Sequence, residues 1–335
     1  MKKLILLPFL FAVVIGFAQS QFVVQNDSTR VFYNINDAFT AANAGDTIYI
    51  PGGSFTLTNG TITKTLHLVG VGHYPAYAGA NGTSRITTSL NFTGTCDGSS
   101  MEGIEFTGPV TFGTNGDEAE NIRIKRCKVN NPLYLRVSAT GNPVINTHIT
   151  ESVLNLVDAR YGANCLVEKC LIFSDIYSFY QSVFINNNIN VIGYMDRLYY
   201  YCTNCTFTNN IFSNSHEPYS SNSCEFHYNL FAKALTFSGT NSGSNNITNV
   251  GTDNIFTTIT GSINLFSYDN NYHLKEGCPG IGAAEDGTDM GIYGTAVPYK
   301  EGAVPFYPLV TRFNVENEAT NGMVGTKITV VAQER

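Results

Sequence analysis

Acidic side chains recur in the middle of the sequence, five to eight residues after the centre of a repeated strand pattern, and some have basic neighbours. Two carboxylates on one surface could act as acid and base on a glycosidic bond. An arginine beside a carboxylate could instead serve a lyase, neutralising a uronate while a base removes a proton. Charge at exposed turns is the simpler interpretation, and Asp158 with Arg160 belongs to the same series. If the protein is an enzyme, its predicted catalytic residues are Asp175, Asp196, Arg197, His216 and Glu217.

Tyrosines cluster on the same segments of the chain. Rings aligned on neighbouring strands could form a platform for sugar rings or for a protein partner, or they could fill the core. Tyr199 to Tyr201 are consecutive, and alternate residues of a strand point to opposite faces, so at least one of these rings should be exposed. The predicted ligand-binding residues are Tyr177, Tyr180, Tyr194, Tyr199, Tyr201 and Tyr219.

The eight cysteines are more typical of a structural role than of a catalytic or metal-binding one. Cys205 and Cys224 occupy the same position in successive repeats, so they are a disulfide candidate, with buried reduced thiols as the alternative. Cys202 and Cys205 have the spacing of a zinc pair, but no second pair follows at a suitable distance. The histidines are scattered without a nucleophile partner. We therefore predict no metal site and no cofactor.

Composition excludes several function classes. Charged residues make up 13% of the chain, and the formal net charge is −7, or −9 once Lys2 and Lys3 are removed with a leader. A nucleic-acid partner would require a basic surface, which this chain does not have. The abundance of Gly, Asn, Ser and Thr together with Phe, Tyr and Ile favours strands and tight turns over helices.

The first residues have the pattern of a signal peptide. Lys2 and Lys3 precede an apolar run from Leu4 to Phe17, and Gly16 and Ala18 are small residues suited to a cleavage site. Residues 1–18 are therefore predicted to be removed, which places the mature protein in the periplasm or outside the cell. No later apolar stretch is long enough for a membrane span.

A repeat of about twenty residues runs through the chain from Met101 onwards. Each unit has an apolar residue, a small, Cys or Asn centre three positions later, and a further apolar residue. Units of this length cannot bury an apolar face alone, but they can stack as coils of short strands. Asn at the centre suits a bend in the left-handed conformation, and its side chain could also hydrogen-bond from coil to coil. The predicted centres are Ile104, Cys127, Ser152, Cys170, Asn188, Asn210, Asn229 and Asn246.

The two ends of the sequence differ from the repeats. A helical pattern covers residues 31–43, with apolar positions at Ile35, Ala38 and Ala42, and predicts a helix that covers the first coil. Near the other end, Leu309–Val315 and Lys327–Ala332 predict two strands. We therefore predict a signal peptide (1–18), an N-terminal cap and first coil (19–60), a parallel β-helix (61–296), and a C-terminal linker with a strand pair (297–335).

Several motifs resemble those of one family. Residues 35–38 with 45–53 are similar to the opening of pectin-lyase-like right-handed parallel β-helix proteins, and Leu66–Gly72 and Asp97–Phe106 are similar to their early coils. Residues 278–282 with 289–294 resemble the closing coil of secreted bacterial repeat members. The resemblance implies an all-β, right-handed, single-stranded parallel β-helix and a role connected with carbohydrate. The sequence departs from the enzymes of the family, because the paired aspartates of polygalacturonases and the calcium cluster of pectate lyases are not found.

Three hypotheses follow. The first is a secreted protein that binds a glycan or another cell-surface partner through its tyrosines without catalysis. The second is a polysaccharide lyase or glycoside hydrolase acting on an acidic polysaccharide. The third is a structural or adhesive surface protein. An enzyme requires charged side chains that converge in a cleft, whereas a binding protein requires exposed, aligned rings.

Overall fold

The structure is a computed structural model. It describes residues 20–79, 82–113, 119–135, 144–160, 162–190, 199–214, 221–237, 239–306, 309–320 and 323–331. The predicted signal peptide (1–18) therefore lies outside the described residues.

The described chain begins with a small cap. Strand Phe22–Gln25 pairs antiparallel with Thr29–Phe32 on one side and with Thr47–Tyr49 on the other. The helix is shorter than predicted and spans Ile35–Ala41, because residues 31 and 32 belong to a strand. The Asn34 side chain accepts a hydrogen bond from the Asn36 backbone N–H at 2.7 Å and so caps the helix. Ile35 and Ala38 are buried in the core, which closes one end of the stack of coils.

Three large sheets, here named A, B and C, contain most of the remaining strands, which all run parallel. Beyond the cap strands, sheet A continues with Thr47–Tyr49, His67–Val69, Ser100–Glu102, Arg123–Lys125, His148–Thr150, Leu166–Glu168, Val183–Ile185, Thr206–Thr208, Glu225–His227 and Ser242–Ser244. Sheet B consists of Gly53–Phe55, Ser84–Ile86, Glu105–Phe106, Lys128–Val129, Val153–Leu154, Leu171–Ile172, Asn188–Ile189, Ile211–Phe212 and Leu230–Phe231. Sheet C consists of Thr61–Lys64, Leu90–Thr95, Val110–Phe112, Leu133–Leu135, Val157–Asp158, Ile176–Tyr177 and Tyr199–Tyr200. A short parallel pair, Ala119–Glu120 with Val144–Ile145, lies outside these sheets.

Through most of the described chain the strands visit sheets A, B and C in turn before returning to A, so successive turns of the chain lie side by side. The protein is therefore all-β, with large parallel sheets arranged as in a β-helix. Aromatic rings stack between neighbouring coils in its core: Phe184 lies on Phe207 and Phe207 on Phe226, with 4.7 Å between centroids in both pairs. Such stacks fill the interior between the sheets with apolar surface.

The repeat has the predicted period, but one centre was assigned wrongly. Asn187 occupies the column with Asn210 and Asn229, whereas Asn188 is the first residue of a sheet B strand. Three consecutive asparagines made either alignment compatible with the sequence. The structure selects the alignment that places Phe184 in the core, where it stacks on Phe207. In this alignment Val183 lies outside the core and is 39% exposed.

The left-handed residues lie one position before the predicted ones. Arg126, Glu151, Asn186 and Asn209 have positive φ, and each immediately precedes a centre of the column. The central asparagines use their side chains instead, as the hydrogen-bonded ladder that the sequence also suggested. Adjacent residues therefore form the two features: the left-handed residue makes the turn, and the residue after it belongs to the column.

Among the described residues the last parallel pairing is that of Ile247 with Leu230, well before residue 296, where the β-helix was predicted to end. Residues 249–306, here called the strap, run back along the coils. The Gly291 N–H donates to the Asn209 carbonyl at 2.8 Å, and the Lys300 N–H donates to Glu151 at 3.2 Å in an earlier coil. Phe306 lies over Arg126, one coil earlier again, at 3.8 Å.

The strap buries the outer face of sheet B. Val153, Leu171, Ile211 and Leu230 each begin a sheet B strand and pack in a second apolar cluster with strap residues. The second residue of each of these strands points into the main core. Along these four strands sheet B is therefore covered on both faces, which explains why both residues of each strand are apolar.

The C-terminal strand pair is confirmed, with longer strands than predicted. Leu309–Thr320 pairs antiparallel with Met323–Val331. Among the described residues these two strands pair only with each other. No helix in the described ranges is long and apolar enough to cross a membrane.

Candidate functional site

Only some of the predicted site residues can be placed. Asp175 is described, whereas Asp196, Arg197, His216 and Glu217 lie outside the described residues, as do Tyr194 and Tyr219. Tyr199 is placed by its backbone, which pairs with Ile176 in sheet C. Tyr177, Tyr180 and Tyr201 are described with their side chains. The described part of the candidate site therefore consists of these three tyrosines, Asp175 and the Asp158–Arg160 pair.

Tyr177 and Tyr201 meet on the outer side of sheet C. Tyr177 ends a strand, and the register partner of Tyr177 in the next coil is Tyr200. Tyr201 follows directly in a left-handed conformation, with φ 66°, and turns its ring towards Tyr177. The ring centroids are 5.8 Å apart at 80°, an edge-to-face contact. Tyr201 is 57% exposed, so the consecutive tyrosines do present a ring to solvent as expected.

Arg160 lies on the other side of Tyr177. The Arg160 guanidinium carbon is 5.3 Å from the centre of the Tyr177 ring, within the range of a cation–π contact. Its Nε and Nη2 donate to the carboxylate of Asp158 at 2.8 to 3.2 Å. Asp158 is buried and is the register partner of Tyr177, so the sheet itself fixes the position of this arginine. Arg160 stays partly open to solvent, with 44% of its side chain exposed.

Tyr134 extends the same column by one coil. It is the register partner of Asp158 and is half-buried. Tyr134 is not among the predicted ligand-binding residues, although its position between Leu133 and Leu135, which are both buried, is typical of an outward ring on a strand. The column Tyr134, Asp158 and Tyr177, with Arg160 and Tyr201 beside it, is here called the sheet C surface.

Tyr180 lies apart from this column. It follows the bend after the strand and forms bridges with Ala163 and Thr203 in the neighbouring coils. Its side chain is 43% exposed, so it adds an aromatic surface at the corner between sheets C and A. The structure thus brings Tyr177 and Tyr201 together and places Tyr180 at an adjoining corner.

Asp175 lies in the turn between the sheet B and sheet C strands of one coil. Its backbone carbonyl accepts a hydrogen bond from the Val157 N–H at 3.0 Å. Oδ1 is buried and has no hydrogen-bond partner among the described residues, and burial raises the pKa of this carboxyl above its ordinary value. A carboxyl group in this condition is suited to hold and donate a proton.

The cysteines lie inside the protein and not on its surface. The structure has all eight as buried, free thiols, and within the described ranges no group of three or more His, Cys, Asp or Glu could hold a metal ion. The Cys202 thiol beside Cys205, together with burial, holds the pKa of Cys205 well above its ordinary value. Cys205 likewise contacts Cys224 and raises its pKa. The disulfide between Cys205 and Cys224 remains a prediction.

The sheet C surface is suited to binding by stacking and by charge. Two tyrosine rings and a guanidinium lie side by side along the direction in which the coils stack. Both oxygens of Asp158 are engaged with Arg160, so this carboxylate is not a free base. Comparison with protein-family models and with curated protein sequences gives no match to this chain.

Proposed function

We propose that this protein is a secreted, right-handed parallel β-helix of the pectin-lyase-like type that binds an acidic polysaccharide on its sheet C surface without catalysis. The observation that carries the proposal is the position of Arg160, fixed by Asp158 over the ring of Tyr177 and next to the exposed ring of Tyr201. Aromatic rings stack on the apolar faces of sugars. Nε and Nη2 of Arg160 already donate to Asp158, so a uronate carboxylate would pair with the Nη1 side of the guanidinium.

The arrangement of the coils supports an extended ligand. Neighbouring strands of a sheet lie about 4.8 Å apart, so side chains in one column are spaced regularly along the stack. Tyr134, Asp158 and Tyr177 follow one another in this way on successive strands. A polysaccharide lying along the column would therefore contact several coils at once, and many weak contacts would add up.

The test measures binding of polygalacturonate and alginate, with dextran as a neutral comparison, by affinity electrophoresis and calorimetry. Replacing Arg160 with Gln should weaken binding of the two acidic polymers about tenfold, because it removes the charge while keeping a polar side chain. Tyr201→Gly should also weaken binding. Glycine adopts a φ of 66° without strain, which offsets the loss of the ring contact with Tyr177, so this variant should still fold.

The matched control is Tyr33→Ala. Tyr33 is 56% exposed and Tyr201 is 57% exposed, but Tyr33 lies in the N-terminal cap. Equal loss of binding in both tyrosine variants would contradict the proposed site. Failure of every acidic polymer to bind the original protein would overturn the proposed function and favour the structural or adhesive role.

The alternative is a lyase or hydrolase, and Asp175 is the observation that favours it. Its Oδ1, buried and without a hydrogen-bond partner in the described part of the chain, and its raised pKa suit a general acid, which could act with the predicted residues Asp196, Arg197, His216 and Glu217. The same polymers are assayed for new reducing ends and for unsaturated uronates. If the original protein forms products and Asp175→Asn abolishes them, the protein is an enzyme, and this alternative replaces the proposal of non-catalytic binding.

A further inference from the structure

A cavity lies over the outer face of sheet B, where the strap meets an early turn of the chain. Its volume is about 230 Å³. The turn is the 3₁₀ helix Pro75–Tyr77, and the Tyr268 hydroxyl of the strap donates to the His73 carbonyl beside it at 2.8 Å. Six tyrosines line the cavity: Tyr74, Tyr77, Tyr268, Tyr272, Tyr293 and Tyr299.

Most of the hydroxyl groups of these tyrosines are already used by the protein. Tyr268 donates to a backbone carbonyl, Tyr293 donates to Glu301 at 2.8 Å, and Tyr272 accepts from the side chain of Asn270 at 2.8 Å. The hydroxyl groups of Tyr74 and Tyr299 face each other at 3.4 Å. A ligand therefore meets aromatic rings more than free phenol groups. This disfavours a sugar, whose many hydroxyl groups each need a hydrogen-bond partner.

The charge at the cavity is negative. Glu301 is the one carboxylate among its described lining residues, and none of those residues is Lys or Arg. His73 lies behind Tyr74, but burial lowers its pKa to about 3 and so keeps it neutral. Lys128 contacts Tyr268 from outside the cavity and is paired there with Glu105 at 3.3 Å. The faces of aromatic rings and a carboxylate both attract a cation.

Two stacked rings form one side of the cavity mouth. His273 stacks on Tyr293 with 3.7 Å between centroids at 11°, and its Nε2 is 3.8 Å from Glu301. His273 and Glu301 are about half exposed, at 52% and 54%, so both reach solvent. Tyr77 is 43% exposed and packs against Gly302, where any Cβ would collide with its ring. These residues form an accessible rim around the buried rings.

We propose that this cavity is an aromatic cage for a small organic ammonium ion, in particular a quaternary ammonium head group. Rings that surround a cation bind it through their negative faces, most strongly when water is excluded, and a carboxylate at the rim adds charge. The cavity volume of about 230 Å³ leaves room for a ligand of the size of choline. Binding here is independent of the sheet C surface.

The experiment titrates the full chain with choline and with tetramethylammonium, following tyrosine resonances by NMR and heat by calorimetry. The neutral comparison is 3,3-dimethylbutan-1-ol, which has the shape of choline without its charge. Both cations should bind, and the neutral alcohol should bind at least about fivefold more weakly. Glu301→Gln and Tyr77→Ala should each weaken choline binding by a similar factor, and both positions are exposed enough to leave the fold intact.

Tyr201→Gly and Arg160→Gln are the matched controls and should bind choline as the original protein does. Equal binding of choline and its neutral analogue would overturn the proposal, because shape alone would then explain the affinity. Absence of cation binding at millimolar concentration would also overturn it. The six tyrosines would then only fix the strap in place.

Discussion

Oδ1 of Asn210 accepts hydrogen bonds from both the backbone N–H and the side-chain Nδ2 of Asn187, each at 2.9 Å. The same pattern links Asn229 to Asn210 and Asn246 to Asn229. Each buried amide in the ladder thereby satisfies a backbone group of the neighbouring coil. The ladder fixes the register between coils, and with it the alignment of every outward column.

Replacing Asn210 with Ala should therefore destabilise the protein by about 3 kcal/mol, because buried backbone groups of two coils lose their partners. Phe184 and Thr208 would each lose a donor to their carbonyls. Chemical denaturation measures the effect. Asn155→Ala is the control, since this exposed asparagine makes one hydrogen bond to a neighbouring coil and should cost less than about 1 kcal/mol. Similar losses in both variants would contradict a special role for the ladder.

Arg126 and Glu151 form a buried ion pair at 2.5 Å under the strap, and Phe306 covers the arginine. Arg126→Met should destabilise the protein by about 3 to 5 kcal/mol, because Glu151 would keep a buried charge without its cation. Adding Glu151→Met should restore part of the stability, which thermal unfolding can measure. Glu102, which lies 3.2 Å from Arg126 in the original protein, still lacks its cation in the double variant. If the double variant is no more stable than the single one, the loss arises from packing and not from the unpaired charge.

Asp175 should make stability depend on pH. Burial raises the pKa of this carboxyl in the folded chain. Between the unfolded and folded pKa values the folded chain binds more protons, so the stability contributed by this group falls as pH rises through that window. Asp175→Asn should therefore raise the thermal midpoint more at pH 7 than at about pH 3, where the carboxyl is protonated in both states.

Asp286 serves as a control, because its pKa is shifted in the opposite direction from that of Asp175. Hydrogen bonds from Thr288 hold its pKa below the ordinary value, so its carboxylate contributes stability that is lost as pH falls through the folded pKa. Asp286→Asn should accordingly lower the midpoint slightly at pH 7, or leave it unchanged. A pH-independent effect of Asp175→Asn would exclude burial of its charge as the cause.

The number of free cysteine thiols can be counted with a thiol reagent. Burial raises the pKa of Cys127 to about 12 and that of Cys165 to about 11, so the native thiols should react very slowly with a thiol reagent. In concentrated guanidinium without reductant, all eight cysteines should react if they are free as in the structure. A count of six, with Cys205 and Cys224 unreactive, would establish the disulfide that the sequence predicts.

The sequence by itself determined the strand-rich class, the period of about twenty residues and the capping helix, because each depends on local spacing of apolar, small and turn-forming residues. It also indicated that one ring among Tyr199 to Tyr201 is exposed, since alternation along a strand is a local rule. It could not choose between Asn187 and Asn188 as a ladder residue. That choice depends on whether Phe184 or Ile185 packs into the core, which neighbouring coils decide.

Only the tertiary structure decided which distant residues meet. The strap returns over sheet B and brings Tyr299 to Tyr74, which are 225 positions apart in the chain. Likewise, Arg160 reaches Tyr177 only because Asp158 and Tyr177 are register partners in adjacent coils. Contacts of this kind depend on the length of every intervening turn, and no spacing within a single unit encodes them.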